Sequence, residues 1–144
     1  VFYNEVQQRV QEIITIFEKV ELREALENIL KLSDFGNKYF QEKEPWRTLN
    51  KNVLYNCINL NKILALLIQP FLPETSQKIL KSLNCKESNW QKLTDYTIKK
   101  INKPKILFEK ITPERIRELK EKTTKVTEFK IKQGKTYSYG KNKP

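Results

Sequence analysis

The chain contains no histidine. Nucleophile activation of the Ser-His-Asp or Cys-His kind is therefore excluded, and so are imidazole-based metal sites. Glycine occurs only three times, never in a GxGxxG or GxxxxGK pattern, so no phosphate-cradling loop is expected. The two cysteines, Cys57 and Cys85, stand far apart and form no CxxC pair, which leaves no zinc set and no cofactor to assign to this stretch. Such cysteine usage fits a reducing, cytoplasmic setting better than a disulfide framework. Long apolar runs are missing too: the longest, Ile63 to Leu72, is broken by Gln69 and Pro70 and falls short of a membrane span. No basic and apolar leader opens the sequence, and methionine is absent altogether; we read the sequence as an internal piece of a longer protein. Carboxylate pairs such as Glu42 and Glu44 are flanked by lysine. Nothing apolar surrounds them to raise a pKa, so no catalytic residue is assigned.

What the chain has is charge and helical periodicity. Its 144 residues suit one domain with a tail. Hydrophobic residues make up 38% and charged residues 31% of the chain, the balance of a helix-rich globular protein. The net charge of +11 is uneven: residues 1–100 carry 15 basic and 12 acidic side chains, residues 101–144 carry 13 and 5. A basic excess at the C-terminal end favours contact with phosphates, because bound counterions are released when Lys or Arg replaces them. The alternative is a lysine-rich surface that only keeps the protein solvated.

Apolar residues recur at intervals of three and four in several segments, which predicts an amphipathic face for each. Val6, Val10, Ile13, Ile14, Phe17 and Val20 predict a first helix over Tyr3 to Lys19. Leu22, Ala25, Leu26, Ile29, Leu32, Phe35 and Tyr39 predict a second from Glu21 to Lys43, stopped by Pro45. Gly36 inside it implies close approach of a neighbour. The third helix, from Leu49 or Asn52 to Gln69, is apolar nearly all round, with Lys62 the one charge between Val53 and Leu72, so it is expected to be central, with Cys57 buried in it. Pro70 and Pro73 mark a bend, with Pro73 in the first turn of a fourth helix running to Leu83. From Asn84 to Lys105 the pattern breaks; Trp90 and Leu93 are expected to plug the core, and Ile98 with Ile101 hints at an extended piece. Ile106, Leu107 and Phe108 read as an apolar anchor. Thr112 reads as the N-cap of a short charged helix ending near Lys122, with a basic tail beyond. The expectation is an all-α bundle of four to five helices over residues 1–111, with the charged helix and tail over 112–144.

One ordered set of segments resembles a known family. Asn37-Lys-Tyr-Phe-Gln-Glu-Lys-Glu-Pro-Trp-Arg47, then residues 65–76 with Ile68-Gln-Pro-Phe-Leu-Pro73, then Trp90, then Pro104-Lys-Ile-Leu-Phe-Glu-Lys-Ile111 are similar, in order and spacing, to the anticodon-binding helical domain of class I methionyl-tRNA synthetases. The match is archaeal-like and covers about residues 1–111. Pro-Phe-Leu-Pro alone is shared with the leucine, isoleucine and valine enzymes; the Pro45-Trp46 pair points to methionine.

The resemblance implies that Trp46 stacks on an anticodon base on a platform shaped by Pro45. An indole held at a helix end suits that role, since unpaired loop bases are available for stacking. Arg47, with Lys43 and Lys51, is expected to neutralise neighbouring phosphates. The competing reading has Trp46 capping the core between two helices. Asn37 and Tyr39 are expected to be structural, Asn37 bonding to a neighbouring element and Tyr39 packing inward. The family's domain begins with a further helix bearing an Asn and an Arg that contact the first anticodon base; this chain starts after it, and Asn4 and Arg9 do not replace that pair. The resemblance further implies a methionine-specific tRNA as partner and a separate catalytic domain as parent, using ATP and magnesium. Other readings that stay open are a leucine- or valine-type synthetase domain and a protein-interaction module with a basic tail.

Overall fold

Val6, Val10 and Ile13 are all at most 2% exposed and form the inward stripe of α1 (Phe2–Glu18). The computed structural model describes residues 1–85, 90, 93–103, 106–108 and 110–132, with side chains to residue 123. Among the described residues every regular element is helical. The chain divides into two units, Val1–Leu107 and Phe108–Pro144.

In the first unit, α2 (Leu22–Lys43) packs on α1 through Ala25, Ile29 and Leu32. The one-turn helix α3 (Pro45–Thr48) follows, then α4 (Lys51–Leu67) and α5 (Pro73–Ser82). Helix α4 is the central element: Leu60, Ile63, Ala65, Leu66 and Leu67 all lie in the core. Fully burying an aliphatic side chain contributes about 1.5–3 kcal/mol, so this helix carries much of the bundle's apolar stabilisation. Gly36 permits α2 to approach it, because a Cβ there would run into the Leu60 side chain. Two buried polar residues of α4 fix the next segment of chain: Asn59 exchanges hydrogen bonds with the backbone of Ile98, and Lys62 donates to the Asp95 carbonyl at 2.9 Å and to Thr97 Oγ1 at 3.3 Å. Leu93 and Ile98 are thereby buried, and Trp90 packs on the same core, its ring 5.2 Å from that of Phe17.

Several expectations are corrected. Val20, counted in the α1 stripe, is 73% exposed with φ 62°. It follows the helix end, where the N–H groups of Val20 and Glu21 bond back to Phe17 and Ile16, the reversal that a left-handed residue after a helix produces. Leu22 is also exposed. Cys57 is half-buried rather than enclosed. Ile98 and Ile101 form no strand, since Asn59 holds Ile98 in the place of a partner strand. Ile106 and Phe108 are 85% and 69% exposed, so the expected anchor is not one. The Asn37 side chain is exposed and bonds to no described residue. Tyr39 does turn inward, stacked on Phe2 at 3.9 Å and accepting a hydrogen bond from Asn56.

In the second unit, α6 (Pro113–Lys132) runs a good deal further than Lys122. Thr112 Oγ1 accepts from the Arg115 N–H at 3.3 Å, as an N-cap should. Exposed i, i+3 ion pairs, Arg115 with Glu118 and Arg117 with Glu114, line its first turns. Residues 133–144, the end of the expected tail, lie outside the described residues. Among the described residues no helix is long and apolar enough to cross a membrane.

Candidate functional site

The corner between α2 and α4 is built by two residues in the left-handed region. Glu44 (φ 39°) ends α2, and Leu49 (φ 49°) ends α3. Both conformations are costly for residues with a Cβ. Between them Pro45 supplies the fixed φ that starts a helix and is itself buried. The Glu44 carbonyl accepts from the Arg47 and Thr48 N–H groups and from Thr48 Oγ1 at 3.2 Å, closing the single turn. Asn50 then caps α4, its Oδ1 accepting from the N–H groups of Asn52 and Val53. The tight corner holds its one aromatic side chain outward.

That side chain is Trp46, which is 50% exposed. Its ring leans on Phe40 of α2, with centroids 5.2 Å apart and planes at 45°. The indole is therefore neither sealed in the core nor free to swing. Arg47 is exposed and paired with Glu44 at 3.1 Å; an exposed pair of this kind is worth little and gives way readily to a phosphate. Lys43, on the last turn of α2, and Lys51, on the first turn of α4, are exposed and flank the same short connection. All five candidate residues thus belong to one corner. Arg9, by contrast, is engaged elsewhere, paired with Glu5 and lying 4.8 Å over the Phe35 ring.

One feature of this region has no signature in the sequence. A groove of about 310 Å³ runs between α2 and α4, walled by Phe40, Leu54, Ile58 and Leu64, with Gly36 and Leu60 at its floor and Ser33, Asn37, Cys57 and Asn61 supplying its polar atoms. Burial raises the Cys57 thiol above its ordinary pKa, so it is not an activated nucleophile. Among the described residues no group of side chains could hold a metal ion.

Comparison with known proteins gives one consistent result. The family model of the anticodon binding domain of methionyl tRNA ligase matches residues 1–128. The methionine-tRNA ligase of Methanopyrus kandleri is 39% identical over 127 residues, which is 81% of this chain and 19% of that protein. That of Borreliella burgdorferi is 38% identical over 127 residues, 83% of this chain and 17% of that protein. The Pyrococcus furiosus enzyme is 32% identical over 119 residues, 78% of this chain and 16% of its own length. The chain spans less than a fifth of these relatives. With an all-helical bundle and a match across nearly its whole length, the chain belongs to the family of anticodon-binding domains of methionyl tRNA ligases.

Proposed function

We propose that this chain holds the anticodon loop of a methionine tRNA while a separate catalytic domain, using ATP and magnesium, performs the ligation in the cytoplasm. Trp46 stacks on one unpaired base. Pro45 sets the corner that presents the indole, and Arg47, Lys43 and Lys51 neutralise the adjoining phosphates. The observation that carries this reading is the half-open indole of Trp46 backed by Phe40: a flat apolar face, fixed in place and reachable from solvent, is what an unstacked base requires. The exposed cations around it suit the strand that bears the base.

The test is a titration of the chain with a hairpin carrying the methionine anticodon and with one whose loop is scrambled, at equal salt. The cognate hairpin binds more tightly. Trp46→Ala lowers its affinity about ten-fold or more, the scale of one base-aromatic stack, and Trp46→Phe recovers part of the loss. Equal binding of both hairpins by the unaltered chain, falling steeply with salt, leaves only non-specific electrostatics and overturns the reading.

A further inference from the structure

We infer that α6 is a docking helix for another protein, and that its occupant is an acidic amphipathic helix, one whose apolar stripe is bordered on both sides by Asp or Glu. The helix runs for 20 residues, Pro113–Lys132, and every described side chain in it, from Pro113 to Thr123, is exposed. Helices in folded proteins draw most of their stability from burying one apolar face, because local propensity and surface ion pairs add little. Such a face is present in α6 and stands open to solvent: Ile116 and Leu119 are 44% and 45% exposed. Thr123 is next in line, its hydroxyl satisfied within the helix by donating to the Leu119 carbonyl at 2.8 Å, and the sequence continues the interval to Val126. Steps of three, four and three residues are the spacing of a seam that packs along one partner helix.

The charges choose the partner. With about 3.6 residues per turn, Arg115 and Lys122 border the stripe on one side and Lys120 borders it on the other, while Glu114, Glu118 and Glu121 fall on the far side. The ion pairs agree, Arg115 reaching away from the stripe to Glu118 at 2.8 Å and Arg117 to Glu114 at 3.8 Å; exposed pairs of this kind yield readily to a new partner. A second copy of α6 is a poor occupant. Parallel pairing would set Arg115 against Lys120 of the second copy, and antiparallel pairing would set each cation against its like. An RNA backbone would engage the cations but leave the apolar stripe between them wet. A membrane surface calls for a broad face of bulky apolar residues, whereas the described stripe offers one Ile, one Leu and a Thr. An acidic helix meets both features at once: its apolar residues cover Ile116 and Leu119, and its carboxylates face the three cations.

The experiment titrates the 144-residue chain with two synthetic peptides of about four heptads, identical in their Ile and Leu seam and carrying either Glu or Lys at the positions beside it. The Glu peptide binds and gains helicity by circular dichroism, and the Lys peptide does not bind. Leu119→Ser, a change at an exposed position, lowers affinity for the Glu peptide about ten-fold or more, the scale of one buried leucine, and leaves the binding of the anticodon hairpin as it was. Lys120→Glu with Lys122→Glu turns the preference toward the Lys peptide. If the Glu peptide does not bind, the inference falls. If Leu119→Ser keeps full affinity while the lysine changes remove it, the contact is bare charge and there is no docking face. A chain that sediments alone as a dimer, split by Leu119→Ser, has a second copy as its occupant. Displacement of the Glu peptide by phosphatidylserine vesicles assigns the face to a membrane, and displacement by a hairpin of scrambled sequence assigns it to phosphates; each of these three results overturns the inference.

Discussion

Lys62 and the carbonyl of Asp95 meet at 2.9 Å across the back of α4, and the lysine is completely buried. A buried ammonium is tolerated only when its donors are satisfied, and here the acceptors include the Asp95 carbonyl and Thr97 Oγ1. With Asn59 one turn earlier bonded to Ile98, the pair pins residues 95–98 over the central helix. This is the face of α4 that carries the loop, and the groove uses other residues of the same helix.

Replacing Lys62 by Met keeps the aliphatic stem and removes the donors. The expected loss is about 1.5–3 kcal/mol, the usual worth of hydrogen bonds from a charged group, read as a lower urea midpoint. Hydrogen exchange should rise at the N–H of Ile98, because Asn59 alone would then pin residues 95–98 to α4. An unchanged midpoint would show that the ammonium contributes nothing net.

Val20 sits at φ 62° after α1, and Asn84 at φ 54° after α5, each followed by the same backward hydrogen bonds. Asparagine tolerates that conformation, whereas a β-branched residue does not. Val20→Gly removes a left-handed penalty of about 1–2 kcal/mol and adds back part of it as unfolded-chain entropy. The net gain is about 0.5–1 kcal/mol. Thermal unfolding checks it, with Asn84→Gly expected to change stability much less. A destabilised Val20→Gly would count against the left-handed turn.

The Tyr96 hydroxyl is buried and has no hydrogen-bond partner among the described residues. Burial first, then the neighbouring Tyr3, Cys57, Tyr39 and Tyr55, push its pKa up to about 12. A phenol in the unfolded chain ionises near 10. The folded state therefore holds its proton longer, and the associated stability is complete below about pH 10 and declines as pH rises toward 12. Tyr96→Phe should be neutral or slightly stabilising at pH 7, since it deletes an unsatisfied group, and should flatten the decline above pH 10. Urea titrations at pH 7, 10 and 11 decide it; an equally steep alkaline decline in the variant assigns the effect to other groups.

Much of the fold was legible in the sequence because it is written in local spacing. The stripe of Val6, Val10 and Ile13, the stop at Pro45, the start at Pro73 and the cap at Thr112 all act within one or two helical turns. Gly36 announced a close neighbour for the same reason, although only the fold named Leu60. Periodicity failed where chain geometry overrides hydrophobicity. Val20 continues the apolar pattern of α1 yet lies past its end, and Ile106 is apolar yet 85% exposed. The charged α6 carries few apolar positions, so spacing does not mark its run to Lys132.

The sequence by itself determined the all-helical class, the absence of a histidine-based or nucleotide-loop site, and the Pro45-Trp46 pair with its basic neighbours. These depend on residue identity and on spacing over a few positions. Only the tertiary structure decided how far Trp46 is exposed, that Phe40 supports it, and that Asn37 and Asn61 share one groove. Asn37 and Asn61 belong to different helices, and their juxtaposition follows from how closely α2 and α4 pack, a distance set by the Gly36 and Leu60 contact. Exposure and shared grooves are properties of packed surfaces, and no local pattern along a chain encodes them.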